Sequence, residues 1–112
     1  MIRSTRIRRA ALKARARQTR AAARIRRHGN GTLTTHCIAQ GLHPRDARSM
    51  VGTLRKVAAK LGIHGTPGRI HRGRRMRDCT RYTPMQVAVI ALSYKPRKPA
   101  YKIVAARLAL AA

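Results

Sequence analysis

Acidic residues and large aromatic residues are almost missing from this 112-residue sequence. Two acidic residues, Asp46 and Asp78, stand against 27 lysines and arginines, which gives a formal charge of +25. General acid–base chemistry and two-metal hydrolysis depend on carboxylates, so this scarcity argues against an enzyme. Phe and Trp are absent, so the core of one small domain must be filled by aliphatic side chains.

Cysteine is also scarce, and no long apolar run is present. Cys37 and Cys79 are too few to form the disulfide framework of a small secreted protein. No apolar run approaches the roughly 20 residues of a transmembrane helix, and the N-terminus lacks the apolar core of a signal peptide. We therefore expect a cytoplasmic, nucleoid-associated protein without a membrane partner.

The histidines and cysteines are too scattered to predict a metal site. Neither a Cys-x-x-Cys nor a His-x-x-x-His pair occurs, and structural zinc sites usually contain such a pair. We expect no metal and no cofactor, and we expect Cys37 to pack in the core. The side chains that would otherwise be potential ligands are His36, Cys37, His43, His64, His71 and Cys79.

Positive charge is what the sequence has in excess, mostly as arginine. Arg outnumbers Lys by 21 to 6, and the planar guanidinium suits paired hydrogen bonds to phosphate and to guanine. A chain of this charge repels itself unless a polyanion is present. DNA, RNA and an anionic membrane are the candidate polyanions, and the codon usage of a GC-rich genome is an alternative explanation of the arginine excess.

Residues 1–28 are predicted to form a basic helical arm. Ala and Arg favour a helix, and neither Gly nor Pro interrupts this segment. The cations recur every three or four positions, so they line one helical face that could follow a phosphate backbone. A solvated tail is the alternative, and a membrane-surface helix is disfavoured because the opposite face is mostly alanine. The predicted phosphate contacts are Arg6, Arg9, Lys13, Arg17, Arg20, Arg24 and Arg27.

The folded domain is predicted to span residues 29–112 and to be organised around a helix at 44–61. Pro44 suits the first position of this helix, and Gly62 suits its end. Apolar residues recur there at steps of three and four, which predicts one buried stripe. The stripe consists of Ala47, Met50, Val51, Leu54, Val57, Ala58 and Leu61.

A short helix over residues 32–40, with Thr34 as its predicted cap, precedes the central helix. The pair resembles a helix-turn-helix, in which a small residue is followed four positions later by a turn glycine and then by apolar residues. His36 and Gln40 depart from this pattern, and an ordinary pair of antiparallel helices is the alternative. The residues that match are Cys37, Gly41, Leu42, Ala47 and Met50.

The resemblance implies that the N-terminal half of the second helix enters the major groove of DNA. In this interpretation the absence of a side chain at Gly52 permits the helix to approach a DNA backbone closely. Asp46 stabilises the N-terminus of the helix, because its negative charge lies at the positive end of the helix dipole. The side chains placed on the groove-facing side are Arg45, Arg48, Ser49 and Thr53, and the same basic face continues through Arg55 and Lys56.

Residues 62–82 are rich in glycine and arginine, and two structures stay open for them. A β-hairpin, the wing of a winged helix-turn-helix, would have Ile63 and Ile70 in its strands and residues 65–68 as its turn. A flexible basic loop is the other possibility. Either structure would bring arginines to the minor groove or to phosphates, and these arginines are Arg69, Arg72, Arg74, Arg75 and Arg77.

Residues 84–93 and 100–110 are predicted to form two apolar helices. Thr83 and Gln86 make a capping box at the start of the first one, and Pro84 takes its first helical position. This helix is apolar nearly all round, so it should be the most buried element. The surplus apolar surface of the pair would suit packing on the helix-turn-helix or a homodimer through the C-terminal helices.

The expected fold is mainly α, with a basic N-terminal helix, a small helix-turn-helix with a short hairpin wing, and two C-terminal helices. The expected function is duplex DNA binding by a small transcriptional regulator, of a phage or mobile-element type by its composition. The central helix would supply sequence preference, and the arginine-rich segments would supply affinity.

Three other functions remain open. They are sequence-independent packaging of nucleic acid, binding of structured RNA or the ribosome, and binding of a host factor by a phage protein. Recognition of single strands is disfavoured because three tyrosines are the only aromatic residues.

Overall fold

In the computed structural model of the protein, residues 2–111 are described, apart from the side chains of Ile2 and Arg72. The prediction of a mainly α fold is confirmed, with one antiparallel hairpin between the third and fourth helices. Met1 and Ala112, the outer ends of the predicted arm and domain, lie outside the described residues. The elements are α1 (Ile2–His28), α2 (Leu33–Ala39), α3 (Pro44–Leu61), β1 (Thr66–Arg72), β2 (Arg75–Arg81), α4 (Pro84–Ser93) and α5 (Pro99–Leu110).

Helix α1 is exposed in its first half and packed in its second half. Residues 3–16 are all exposed, a length of roughly 20 Å at about 1.5 Å per residue. Ala21 is buried, and Arg17 and Ile25 are half-buried, where α1 contacts α2. Gly29 ends the helix with φ +73, and its N–H donates to the Ile25 carbonyl at 2.8 Å. The second half of the predicted arm therefore belongs to the packed fold.

Helix α2 begins before the residue that was predicted to cap it. The cap is Thr32, whose hydroxyl accepts from the Thr35 N–H at 3.2 Å. The assignment of Thr34 as the cap is wrong, because Leu33 is already helical and is buried in the core. Gly41 follows α2 with φ +97, a backbone conformation that glycine adopts without steric cost.

Helix α3 buries one stripe in the core and exposes the opposite face. It begins at Pro44 and ends at Gly62, which has φ +69, so both predicted boundaries are confirmed. Val57 is half-buried, and Leu61 is 43% exposed. The predicted stripe is therefore wrong at Leu61, because the core ends before the last turn. Its buried members are Ala47, Met50, Val51, Leu54 and Ala58.

The core lies where α2, α3, α4 and α5 meet. Its largest fully buried side chains are Met50, Leu54, Ile90, Val87 and Cys37. The expectation that Cys37 packs in the core is therefore confirmed. The rings of Tyr82 and Tyr101 are buried in the same cluster.

Strands β1 and β2 pair along their full length, and Gly73 and Arg74 form the turn between them. Of the two structures left open for residues 62–82, the protein therefore has the hairpin. Gly73 has φ +66, as the first position of a two-residue type II′ turn requires.

The predicted turn at residues 65–68 is wrong. Gly65 lies at the base of the hairpin, where an added Cβ would stand 2.5 Å from the carbonyl oxygen of Arg81. This glycine therefore permits close contact between two backbones, and the chain continues past it into β1. Pro67 is tolerated in β1 because each strand of a two-stranded sheet is an edge strand.

Tyr82 ties the end of the hairpin to the chain before α2. Gly31 donates its N–H to the Tyr82 carbonyl at 3.0 Å, and the Tyr82 N–H donates to the Gly31 carbonyl at 2.8 Å. The Tyr82 carbonyl also accepts from Nε2 of His36 at 2.7 Å. His36 departs from the helix-turn-helix pattern, yet its burial is tolerated because this hydrogen bond satisfies its ring.

Helices α4 and α5 pack on each other, and both contact α2. The predicted capping box is confirmed, with the Thr83 hydroxyl accepting from the Gln86 N–H and the Gln86 side chain accepting from the Thr83 N–H. Helix α4 is less buried than predicted, because the domain covers only one side of it. Its exposed apolar residues are Met85, Val89 and Leu92, at 70%, 45% and 70%. Within residues 2–111, no helix combines the length and the apolar character needed to cross a bilayer.

Candidate nucleic-acid interface

The outer face of α3 is a surface of polar and cationic side chains. Met50 and Leu54 are fully buried on the opposite face and fix the rotation of the helix. A Cβ added at Gly52 would meet no neighbouring atom within 4 Å, so the middle of the outer face is open. The residues that were predicted to lie on this face are all exposed: Arg45, Arg48, Ser49, Gly52, Thr53, Arg55 and Lys56.

The cations of α3 have no counter-ion within the part of the protein that is described. Among all the side chains that the structure describes, Arg69 and Asp78 form the only ion pair. Asp46, in the first turn of α3, is exposed and lies at the positive end of the helix dipole. The first turn is ordered by His43, whose Nδ1 accepts from the Arg45 N–H at 3.1 Å. The charge of the outer face is therefore available to an external anion.

The cationic face of α1 lies beside α2. The predicted phosphate contacts of α1 are exposed, except for Arg17, which is half-buried. Arg17, Arg20 and Arg24 line a cavity of about 200 Å³ together with Thr35 and Ile38 of α2. The basic face of the arm therefore continues onto the surface of the packed domain. The exposed members are Arg6, Arg9, Lys13, Arg20, Arg24 and Arg27.

The arginines of the hairpin divide between its two faces. Ile70 pairs with Arg77, and Cys79 lies two residues further along β2, so these three side chains share a face. Ile70 and Cys79 are half-buried, which places this face, with Arg77, toward the helices. On the opposite face Nε of Arg69 lies 3.6 Å from Oδ1 of Asp78. Such an exposed ion pair is weak, so a phosphate could compete for Arg69.

The tip of the hairpin presents two further predicted site residues. Arg74 lies in the turn and Arg75 begins β2, and both are exposed. The backbone of Arg72 pairs with that of Arg75, whereas the side chain of Arg72 lies outside the described part. Two exposed guanidinium groups, those of Arg74 and Arg75, therefore lie at the tip of the hairpin.

A groove of about 520 Å³ opens between the hairpin and the helices. Arg24 of α1, Arg55 of α3 and Arg77 of β2 converge on it. The sequence identified each of these arginines but not their convergence, which depends on where the hairpin packs. Sequence reasoning also missed Thr34 and Thr35, which line the groove. The threonine-rich start of α2 was the only local signal for them.

Two buried titratable side chains, His36 and Cys37, are structural. Burial lowers the pKa of His36 from 6.5, although the carbonyls of Tyr82 and Gly31 act in the opposite direction. Burial raises the pKa of the Cys37 thiol to about 12. Both side chains are therefore neutral at neutral pH and contribute no charge to the surface. In residues 2–111, no three His, Cys, Asp or Glu side chains gather closely enough to hold a metal ion.

Neither a family model, nor a curated protein, nor a solved structure matches this chain. A proposal for its function therefore depends on the surface alone, of which the notable features are the exposed cationic face of α3, the exposed first half of α1 and the groove beside the hairpin.

Proposed function

We propose that this protein is a small transcriptional regulator that binds duplex DNA with α3 in the major groove. The outer face of α3 carries the proposal. This 18-residue helix is anchored by a buried stripe and exposes arginine, lysine and hydroxyl side chains. The major groove is about 12 Å wide and admits a helix, and arginine can form paired hydrogen bonds with guanine there.

The elements around α3 support this placement. Helix α2 and the turn at residues 40–43 precede α3, and the hairpin follows it, as in a winged helix-turn-helix. The pairing of Gly31 with Tyr82 holds the hairpin against the chain before α2. With α3 in the major groove, Arg74 and Arg75 at the tip would reach phosphates or the adjacent minor groove.

Helix α1 would add affinity that does not depend on sequence. Its exposed first half carries Arg6, Arg9 and Lys13, and each phosphate that such a cation neutralises releases counterions. Binding should therefore weaken steeply as the salt concentration rises. A protein with this function belongs in the cytoplasm, associated with the nucleoid.

Replacement of Arg48 and Ser49 by alanine tests groove recognition. We expect the preference for a selected DNA site over unrelated DNA to fall by about 1–3 kcal/mol for each base pair that is no longer recognised. Binding to unrelated DNA should change much less, because the phosphate-binding cations remain. Fluorescence anisotropy, with a site obtained by in vitro selection, measures both quantities.

A matched control removes the same chemical groups elsewhere. Thr66 begins β1 and Arg97 lies between α4 and α5, and both are exposed, so their replacement by alanine, which removes one hydroxyl and one guanidinium group, should leave site preference unchanged. If the Arg48 and Ser49 variant loses the same affinity for every sequence, α3 does not recognise bases and the proposal is wrong.

Sequence-independent packaging is a second candidate, favoured by the formal charge of +25. A packaging protein would use the same surface through phosphates alone. A regulator should prefer its own site by roughly a thousandfold or more, whereas a packaging protein should show no preference in competition with unrelated DNA. Structured RNA belongs in the same assay at matched salt, and tighter binding to it than to any duplex DNA would overturn the DNA proposal.

A further inference from the structure

The groove beside the hairpin continues along α1. Its cavity of about 520 Å³ and the neighbouring cavity of about 200 Å³ share Arg24, Thr35 and Ile38. The two cavities therefore lie side by side, and together they are called the cleft, which extends from Arg17 to Arg77. This cleft borders the outer face of α3, because Arg55 belongs to both surfaces.

The lining of the cleft has the chemistry of a phosphodiester site. Guanidinium groups reach it from three elements, and threonine hydroxyls lie between them. Guanidinium groups make strong charge-assisted hydrogen bonds to phosphate oxygens, and the half-buried apolar residues Ile38 and Ile70 can contact a sugar. Asp78 is the only acidic lining residue, and its side chain is 94% exposed on the face of the hairpin opposite Arg77. The arginines are Arg17, Arg20 and Arg24 from α1, Arg55 from α3 and Arg77 from β2.

We propose that this cleft holds the sugar–phosphate backbone of one nucleic-acid strand, with Arg24, Arg55 and Arg77 as the central phosphate contacts. The inference rests on the proposed function and specifies where the bound backbone is gripped. A volume of about 520 Å³ is that of a small-ligand pocket, so a single strand enters while the rest of the duplex stays outside. Duplex DNA, single-stranded DNA and inorganic phosphate share this chemistry, and the experiment separates them.

Cys79 reports directly on occupancy of the cleft. It is a free, half-buried thiol in the lining, between the hairpin and the helices. Cys37 is the internal control, because it is fully buried and its pKa is raised to about 12, which keeps it from reacting as a thiolate. Alkylation of the native full-length chain by iodoacetamide, followed by peptide mass spectrometry, therefore measures access to the cleft.

Duplex DNA should protect Cys79 from alkylation. When nine-tenths of the protein is bound, the rate should fall about tenfold, since only free protein reacts. Inorganic phosphate at the same total phosphate concentration should give much less protection, because a single phosphate makes one set of contacts whereas a strand places several linked phosphates along the cleft. Equal protection by inorganic phosphate would overturn the backbone assignment in favour of a small-anion site.

The outcomes separate this inference from the proposed function. Duplex binding seen by anisotropy, with Cys79 still alkylated at its free rate, would overturn the cleft and leave the DNA proposal standing. Protection by single-stranded DNA without any duplex binding would support the cleft and overturn the proposed function. Absence of binding to every nucleic acid would overturn both.

Variants of the cleft arginines provide an independent measurement. Arg24→Gln combined with Arg77→Gln should restore alkylation of Cys79 in the DNA complex, relative to the DNA-free rate of the same variant. It should also reduce the slope of log affinity against log salt by about two, since two phosphates are no longer neutralised. Arg26→Gln combined with Arg97→Gln removes the same charge at exposed positions and should leave the protection intact. If both pairs behave alike, the cleft has no special role and the inference is wrong.

Discussion

At the scale of single residues, His36 couples folding to pH. It is 4% exposed, and its Nε2 donates to the Tyr82 carbonyl. Burial lowers its pKa, so the folded protein keeps the ring neutral at pH values where the unfolded chain already binds a proton. The unfolded state then binds more protons than the native state, and stability falls as pH falls.

We expect the free energy of unfolding to decrease as pH is lowered through the ordinary histidine pKa of about 6.5, where the unfolded chain begins to bind a proton. Urea denaturation at a series of pH values measures this decrease. His36→Gln keeps an N–H donor for the Tyr82 carbonyl but does not titrate, so this variant should lose that part of the pH dependence. The four other histidines are exposed and are present in both proteins, so their contribution is the same in the two pH profiles. An identical pH profile in the variant would show that His36 is not the coupled group.

At the scale of elements, α1 combines an exposed basic half with a packed half. Deletion of residues 1–14 should leave the free energy of unfolding nearly unchanged, because residues 3–14 are exposed. The same deletion should reduce the slope of log affinity against log salt by about one unit for each phosphate that is no longer neutralised.

Deletion of residues 1–28 also removes buried Ala21 and half-buried Ile25. It should cost about 2–3 kcal/mol of stability, the order expected for burial of one large aliphatic side chain.

A full-length control separates charge from length in this experiment. Replacement of Arg6, Arg9 and Lys13 by glutamine should reproduce the change in salt dependence without shortening the helix. If the two deletions destabilise the protein equally, α1 is not divided in the way described. If the glutamine variant binds DNA with unchanged salt dependence, the first half of α1 does not contact phosphates.

Element boundaries were predictable where one residue type has a strong positional preference. Pro44, Gly62 and the capping box at Thr83 each mark a helix end in the sequence. The hairpin turn was mislocated because both Gly65 and Gly73 offer turn chemistry. The choice depends on the close approach of Gly65 to the backbone of Arg81, a tertiary interaction that local sequence does not encode.

At the scale of the whole molecule, the sequence was sufficient to predict which residues of a helix are exposed, but not which cavities form between elements. The periodicity of α3 was sufficient to place Arg48 on the outer face, because a helix has only one way to bury its apolar stripe. The cleft was not predictable in this way. Arg24, Arg55 and Arg77 meet there only because the hairpin folds back toward α2.

The exposed side of α4 predicts how two whole molecules would associate. This helix carries no charged residue in a chain of formal charge +25, so two copies repel each other least across it. Met85, Val89 and Leu92 lie on its exposed side, and their burial would favour association. We therefore expect a homodimer through α4, which would present two α3 helices to a two-fold symmetric DNA site.

Sedimentation analysis of the wild-type chain and of Met85→Gln with Leu92→Gln tests the dimer. The wild type should sediment as a dimer, and the variant should shift toward the monomer while keeping its helical circular dichroism. Ile7→Gln with Leu12→Gln is the matched control, because these residues are 66% and 64% exposed on α1. A monomeric wild type, or an equal shift in the control, would rule out the α4 interface.

The hydrogen bond between His36 and Tyr82 spans 46 positions of the chain. Tyr82 also supplies both backbone partners of Gly31, so the α2–α3 unit is complete only after Tyr82 has been synthesised and its long loop has closed. A nascent chain therefore presents α1, already fully charged, before the surface on which its second half docks has formed. We therefore predict that during translation this cationic segment contacts nearby polyanions, the RNA of the translating ribosome among them.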